Sequence, residues 1–265
     1  MFRTLPPFGG DQRQTAEVVR GLMDGKSNNT GSVTLATGGA TTTTLDDRRI
    51  GGDSVILFVP ASAAAYADSA PYGAFQDSTT QSVGSTTTAY AITYNTTDYS
   101  NGVTLTNSSR LNVKNAGLYN IQFSAQLSNL ANSTEDIEIW FRKNGTDVSA
   151  SNSIFGLAPR KNSTDPYHVI GAMNFFINLA ANDYVELMWR ATSLDCTIKA
   201  ATSGTSPTRP STPSVIVTVN LVSTNGSGHS NFYSIYASNI GQGTATVNHF
   251  ANSTANKTYK YVVIG

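Results

Sequence analysis

Residues Gly117 to Leu127 read GLYNIQFSAQL, a stretch in which Tyr119, Ile121, Phe123, Ala125 and Leu127 alternate with Asn120, Gln122, Ser124 and Gln126. A period of two puts the first set on one face of a pleated strand and the second on the other, so the stretch reads as a half-buried β-strand. Ile137 to Asn144, IEIWFRKN, follows with Ile137, Ile139 and Phe141 in the same alternation and stops at Asn144-Gly145. Asn-Gly accepts the two positive φ angles of a tight type I′ reversal, which makes it the strongest hairpin signal in the chain. The pattern predicts a β protein in which these two stretches are strands of one sheet.

Working outward, His168 to Leu179 (HVIGAMNFFINL) alternates through Val169, Met173, Phe175, Ile177 and Leu179, and Asp183 to Arg190 (DYVELMWR) through Val185, Leu187 and Trp189. The short Ala180-Ala181-Asn182 between them predicts antiparallel neighbours. Beyond the Pro-rich loop Gly204 to Pro213, Ser214 to Val222 (SVIVTVNLV) is the strand that ends this block. On the N-terminal side, Ser54 to Pro60 (SVILFVP) is apolar without a break and reads as a strand covered on both faces. Ser32 to Ala36 and Thr41 to Leu45 read as a hairpin about Gly38-Gly39.

Phe232 to Ala237, Gly243 to His249 and Tyr259 to Ile264 are short alternating stretches whose composition matches Ser32 to Val59 better than the middle block. Lys26 to Gly31 and Ser223 to Ser230 are polar joints rich in Gly, Ser and Asn. The expected organisation is an N-terminal segment, 1–30, and a small β domain in two pieces, 31–70 and 223–265, with a larger β domain, 71–222, inserted between them.

The one helical pattern lies at Asp11 to Asp24, where Ala16, Val19, Leu22 and Met23 recur at spacings of three and four, with Asp11 as N-cap and Gly25 as stop. A helix this short is marginal alone in water, so its stripe is expected to dock on copies of itself, on a partner, or back on its own chain. Val19, Leu22 and Met23 are the candidate docking residues.

Charged residues make up only 13% of the 265, and the formal net charge is zero, so no cationic footprint for nucleic acid exists. A single cysteine, Cys196, allows no intrachain disulfide and fits synthesis in a reducing cytoplasm. Pro6 and Pro7 interrupt the place of a signal-peptide apolar core, and no run approaches a membrane span, so membrane partners are not expected.

No catalytic constellation can be assembled. His168, His229 and His249 fall in separate contexts, and Gly-x-Ser-x-Gly, phosphate-loop and His-x-x-x-His patterns are absent. Asp136 and Glu138, or Asp46 and Asp47 before Arg48 and Arg49, read as solvated or ion-paired surface. Asp77, Asp98, Asp165, Asp183 and Asp195 are isolated, so neither metal nor cofactor is expected. The amide- and hydroxyl-rich surface with Tyr72, Tyr90, Tyr99 and Tyr167 in predicted loops is compatible with carbohydrate.

Several segments of the middle block resemble the C1q and tumour-necrosis-factor-like jelly roll: Gly73-Ala74-Phe75, Ile92 to Asn95, Leu111 to Phe123, Trp140 to Val148 (WFRKNGTDV) and Leu179 to Leu187 (LAANDYVEL). The flanking pieces, Arg3 to Gly9, Asn28 to Leu35, Arg49 to Pro60 and Thr244 to Gly265, resemble small virion-associated proteins of tailed bacteriophages. The first resemblance implies a homotrimer. Trp140, Phe176, Tyr184 and Met188, aromatic or thioether side chains opposite the core series, are the candidate subunit contacts.

Together these imply a mainly β protein, a C1q/TNF-like jelly-roll sandwich inserted in a small β domain with a short N-terminal helix, acting as a non-enzymatic virion fibre or decoration subunit of head or tail. It would be assembled in the host cytoplasm, seated on capsid, neck or tail proteins by its N-terminal segment, and used for attachment to a host-surface glycan or protein. A capsid or neck cement protein without a receptor is the second expectation, and a polysaccharide depolymerase the third.

Overall fold

A computed structural model describes residues 11–23, 29–66, 70–223, 235–252 and 256–265. Arg3 to Gly9, Lys26 to Asn28, the linker at Thr224 to Ser230 and the predicted strand start at Phe232 lie outside the described residues, as do the side chains of Leu22 and Met23. The chain is mainly β, 58% strand against 6% helix. It divides into two compact units, Met1–Asp68 with Tyr233–Gly265, and Ser69–Phe232.

The elements used below are α1 (Gln12–Met23), β1 (Thr30–Thr34), β2 (Ala40–Asp46), β3 (Val55–Pro60), β4 (Tyr72–Asp77), β5 (Thr96–Asn101), β6 (Val103–Thr106), β7 (Arg110–Val113), β8 (Gly117–Asn129) and β9 (Glu135–Lys143). They continue with β10 (Ser153–Leu157), β11 (Tyr167–Leu179), β12 (Tyr184–Ala191), β13 (Cys196–Ile198), β14 (Val215–Ser223), β15 (Ile235–Gly241), β16 (Thr244–Asn252) and β17 (Thr258–Ile264).

In the 69–232 unit one antiparallel sheet runs β11–β8–β14–β4–β5, with β13 pairing the far end of β8 beyond β14. The other runs β10–β9–β12–β7–β6. Apolar alternation drives both sheets to bury one face, and the two faces share a core. The Phe123 ring of β8 meets Phe141 of β9 edge-on at 6.3 Å, and Phe141 stacks on Phe175 of β11 at 5.2 Å. Tyr119, Ile121, Phe123, Ala125 and Leu127 are all buried, as their spacing predicts. The Asn144-Gly145 reversal has φ of 48° and 83° and closes a hairpin from β9 to a two-residue strand at Thr146–Asp147.

Three expected pairings are different in the structure. β8 and β9 belong to opposite sheets, as do β11 and β12, so each reversal carries the chain across the sandwich; β8 pairs β11, and β9 pairs β12. Likewise β1 and β2 diverge after Gly38-Gly39, β1 joining β17 and β2 joining β16. The physical reason is common to all three. Alternation specifies which side chains face a core, and in a sandwich both sheets face the same core, so it leaves the partner strand open.

The smaller unit has sheets β1–β17–β3 and β2–β16–β15. Val33, Ile56, Tyr259, Tyr261 and Val263 of the first share one core with Leu45, Ala245 and Val247 of the second. Gly31 is required beside Tyr261, because a Cβ there would lie 2.3 Å from the ring. The expectation that β3 is covered on both faces is not met. As the edge of a three-stranded sheet it buries Ile56 but leaves Val55, Leu57 and Val59 more than half exposed. Helix α1 is capped as predicted, Asp11 Oδ1 accepting from the Gln14 amide at 2.7 Å, and Val19 is 48% exposed on it.

One core group of the larger unit is unbalanced. Asp77 is buried but accepts hydrogen bonds from the Thr79 amide and hydroxyl and from Thr93 and Asn95, whereas the neighbouring Tyr94 hydroxyl is buried with no partner among the described residues. Burial, with the Asp77 charge adding to it, holds that phenol far above its ordinary pKa. Removing an unsatisfied hydroxyl removes a desolvation cost, so Tyr94→Phe is expected to leave stability unchanged or raise it by about 1 kcal/mol in urea denaturation.

Candidate functional site

The outer face of the β11–β8–β14–β4–β5 sheet is set by register. Across the strands the outward rows are Phe176, Asn120, Asn220, Tyr72 and Asn101; then Asn174, Gln122, Thr218, Ala74 and Tyr99; then Ala172, Ser124, Ile216, Gln76 and Thr96. None of these side chains is charged. Amides and hydroxyls surround the exposed Ile216 of β14 in the centre, and exposed rings stand at the two sides, Phe176 on β11 and Tyr72 and Tyr99 on β4 and β5.

The small side chains of Ala172 and Ser124 leave a shallow depression of about 480 Å³, bordered by Gln122, Asn174, Ile216 and Thr218. In the next row Asn120 Oδ1 is shielded from solvent yet has no hydrogen-bond partner among the described residues. At the β5 edge the register slips between Ala74 and Phe75, which face Tyr99 and Thr97, so Asp98 is an extra residue. Such a bulge re-aims side chains. Gln76, an outward residue, donates from Nε2 to Asp98 Oδ1 at 2.7 Å.

The outer face of the other sheet has the opposite character. Arg190 pairs with Glu138, and Arg142 Nε donates to Asp147 at 2.7 Å. The guanidinium contacts of Arg190 and Arg142 hold the Glu138 and Asp147 carboxyls below their usual range. Glu186 is buried, accepting from the Ser109 hydroxyl at 2.7 Å, and the Arg110 guanidinium sits 4.4 Å from the centre of the Tyr184 ring. Arg190 with Glu138, Arg142 with Asp147 and Arg110 with Glu186 neutralise one another on this face.

The expected subunit-contact residues therefore do not form one patch. Trp140, whose indole donates to Asp147 at 2.9 Å, and Tyr184 are half-buried in the ion-paired face, while Phe176 is 52% exposed on the uncharged face of the other sheet. Met188 departs from its expected exposure: it is 4% exposed, on the strand that also pairs with the short Tyr90–Ala91 segment, where Ala91 stands opposite it. Of the expected docking residues, only the Val19 side chain is described.

Of the four tyrosines, register brings Tyr72 and Tyr99 together; Tyr90 pairs in the other sheet, and Tyr167 starts β11. Sequence reading missed Asn220 and Gln76 and took Asp98 only as an isolated acid. The signal for the two amides was the replacement of charges by amides at outward strand positions, visible in Asn120, Gln122 and Gln126. His249 is buried, bonded to Thr43 at 2.9 Å and the Phe250 carbonyl at 2.8 Å, a structural role. Among the described residues no three His, Cys, Asp or Glu side chains are grouped to hold a metal. The chain matches no protein-family model and no curated protein.

Proposed function

We propose that the chain is a homotrimeric, non-enzymatic structural protein of a tailed-bacteriophage virion, a head or tail fibre or decoration subunit whose 69–232 unit is a C1q/TNF-like jelly-roll head for host attachment. The observation that carries the jelly-roll reading is strand order. In chain sequence β4, β7, β8, β9, β10, β11, β12 and β14 fall in the orders β4–β14–β8–β11 and β7–β12–β9–β10 in the two sheets, the interleaving expected of two Greek keys.

The trimer reading draws on the exposed apolar side chains of the β11 edge, Phe176 and Ile170, of which Phe176 stands in an outward row without charge; Ile154 on β10 is also exposed, opposite Glu138 in the ion-paired face. Charge depletion around exposed aromatic and aliphatic groups is what a subunit contact uses. In this reading Val19, Leu22 and Met23 of α1 contact capsid, neck or tail proteins of the particle.

Analytical ultracentrifugation tests the assembly. A trimer is expected at micromolar concentration, with Phe176→Glu shifting it to monomer and Trp140→Glu leaving it intact. A wild-type monomer overturns the reading.

A further inference from the structure

We propose that the β4–β5 side of the uncharged sheet face binds a neutral, hydroxyl-rich saccharide, seated on the rings of Tyr99 and Tyr72. Tyr99 is 69% exposed, more than any other large apolar side chain among the described residues, and it stands on an edge strand with every residue exposed. A flat ring held in water carries apolar surface that a ligand can cover, and the C–H face of a pyranose matches it in shape. Tyr99 faces Ala74, so Tyr72, two residues along β4, is its diagonal neighbour at about 7–8 Å, within reach of one oligosaccharide.

The polar half of the site is fixed by the bulge. Regular alternation would send Asp98 to the opposite side from Tyr99; the extra residue turns it to the Gln76 side, where the amide holds the carboxylate at 2.7 Å. The result is an anchored acceptor beside an aromatic platform, with Asn220 and Thr218 supplying further amide and hydroxyl groups on the same face. Such groups exchange hydrogen bonds with sugar hydroxyls in either direction.

Charge selects the ligand class. The three rows that hold Tyr99 and Tyr72 contain no Lys or Arg, Lys199 standing beside Gln126 two rows beyond that of Tyr99, and Asp98 is the formal charge brought to them, so a uronate or sialate would meet repulsion with no compensating cation in those rows. A neutral glycan meets none. The site lies on β4 and β5, at the opposite side of the sheet from Phe176 on β11, so a subunit contact there leaves it open. The biological role rests on the attachment reading; the binding itself does not.

Affinity electrophoresis of the full chain through gels containing dextran, galactomannan or alginate tests it. Retardation is expected in a neutral gel and not in alginate. Tyr99→Ala should weaken it at least tenfold, and Tyr99→Phe should retain it, because the ring face is the platform. No retardation in either neutral gel, an unchanged Tyr99→Ala variant, or a preference for alginate overturns the proposal. If Tyr99→Ala abolishes retardation while virions carrying it adsorb normally, the saccharide site stands and the attachment reading falls.

Discussion

Phe123→Asp is expected to unfold the 69–232 unit while the 1–68/233–265 unit stays folded. Phe123 is 4% exposed on β8, which is hydrogen-bonded on one side to β11 and on the other to β14. The substitution removes the ring that meets Phe141 and puts a carboxyl among Phe141, Phe175 and the aliphatic core. Loss of a buried aromatic side chain costs about 3–5 kcal/mol. Burying an unpaired polar or charged group adds several more, so the sum rivals the roughly 5–15 kcal/mol that stabilises a domain. Each unit has its own core, so scanning calorimetry should show the larger unit's transition lost and the smaller unit's retained. Loss of both transitions would refute the independence of the two cores.

In the smaller unit the largest electrostatic effect is expected at Asp47. Its side chain is 7% exposed and accepts from Arg49 Nε at 2.8 Å, from the Arg49 amide at 3.0 Å, from Arg49 Nη2 and from the Tyr261 hydroxyl at 2.7 Å. The Arg49 hydrogen bonds hold its carboxyl well below the usual carboxylate range, although burial acts in the opposite direction. A carboxyl whose folded pKa is depressed stabilises the fold fully above its unfolded pKa of about 4 and loses that contribution as pH falls below it. Asp47→Ala leaves the guanidinium and the phenol without their acceptor and is expected to cost about 3 kcal/mol at neutral pH. On acidification from pH 5 to pH 3 the smaller unit's melting temperature should fall more steeply in the wild type than in Asp47→Asn. Equal slopes would show that another carboxylate governs acid unfolding.

What was legible in the sequence was the direction of side chains. The inward series of β8, β9, β11 and β12 and the Asn144-Gly145 hairpin are local properties, written in alternation and in the tolerance of Asn and Gly for positive φ. The partner of each strand was not, because Phe123 and Phe141 enter one core from different sheets with the same alternation. The apolar run of β3 misled for a related reason: composition records hydrophobicity, while coverage depends on whether another layer lies over Leu57. The candidate saccharide site was legible only in fragments. Tyr72, Tyr99, Asn220 and Thr218 are assembled by register between distant strands, and the slip that turns Asp98 has no local sequence mark.

The first and last strands of the 69–232 unit are neighbours. Tyr72 at the start of β4 stands opposite Asn220 near the end of β14, and the Leu221 amide donates to the Pro71 carbonyl at 2.9 Å. A unit whose first and last strands adjoin can be carried within another domain's sequence, and the smaller unit's ladders on either side of the insertion, β3 with β17 and β15 with β16, are made among its own strands. Exchanging the larger unit for another sandwich whose first and last strands adjoin is therefore expected to leave the ladders of the smaller unit in register, which the thermal melting of such a chimera would check.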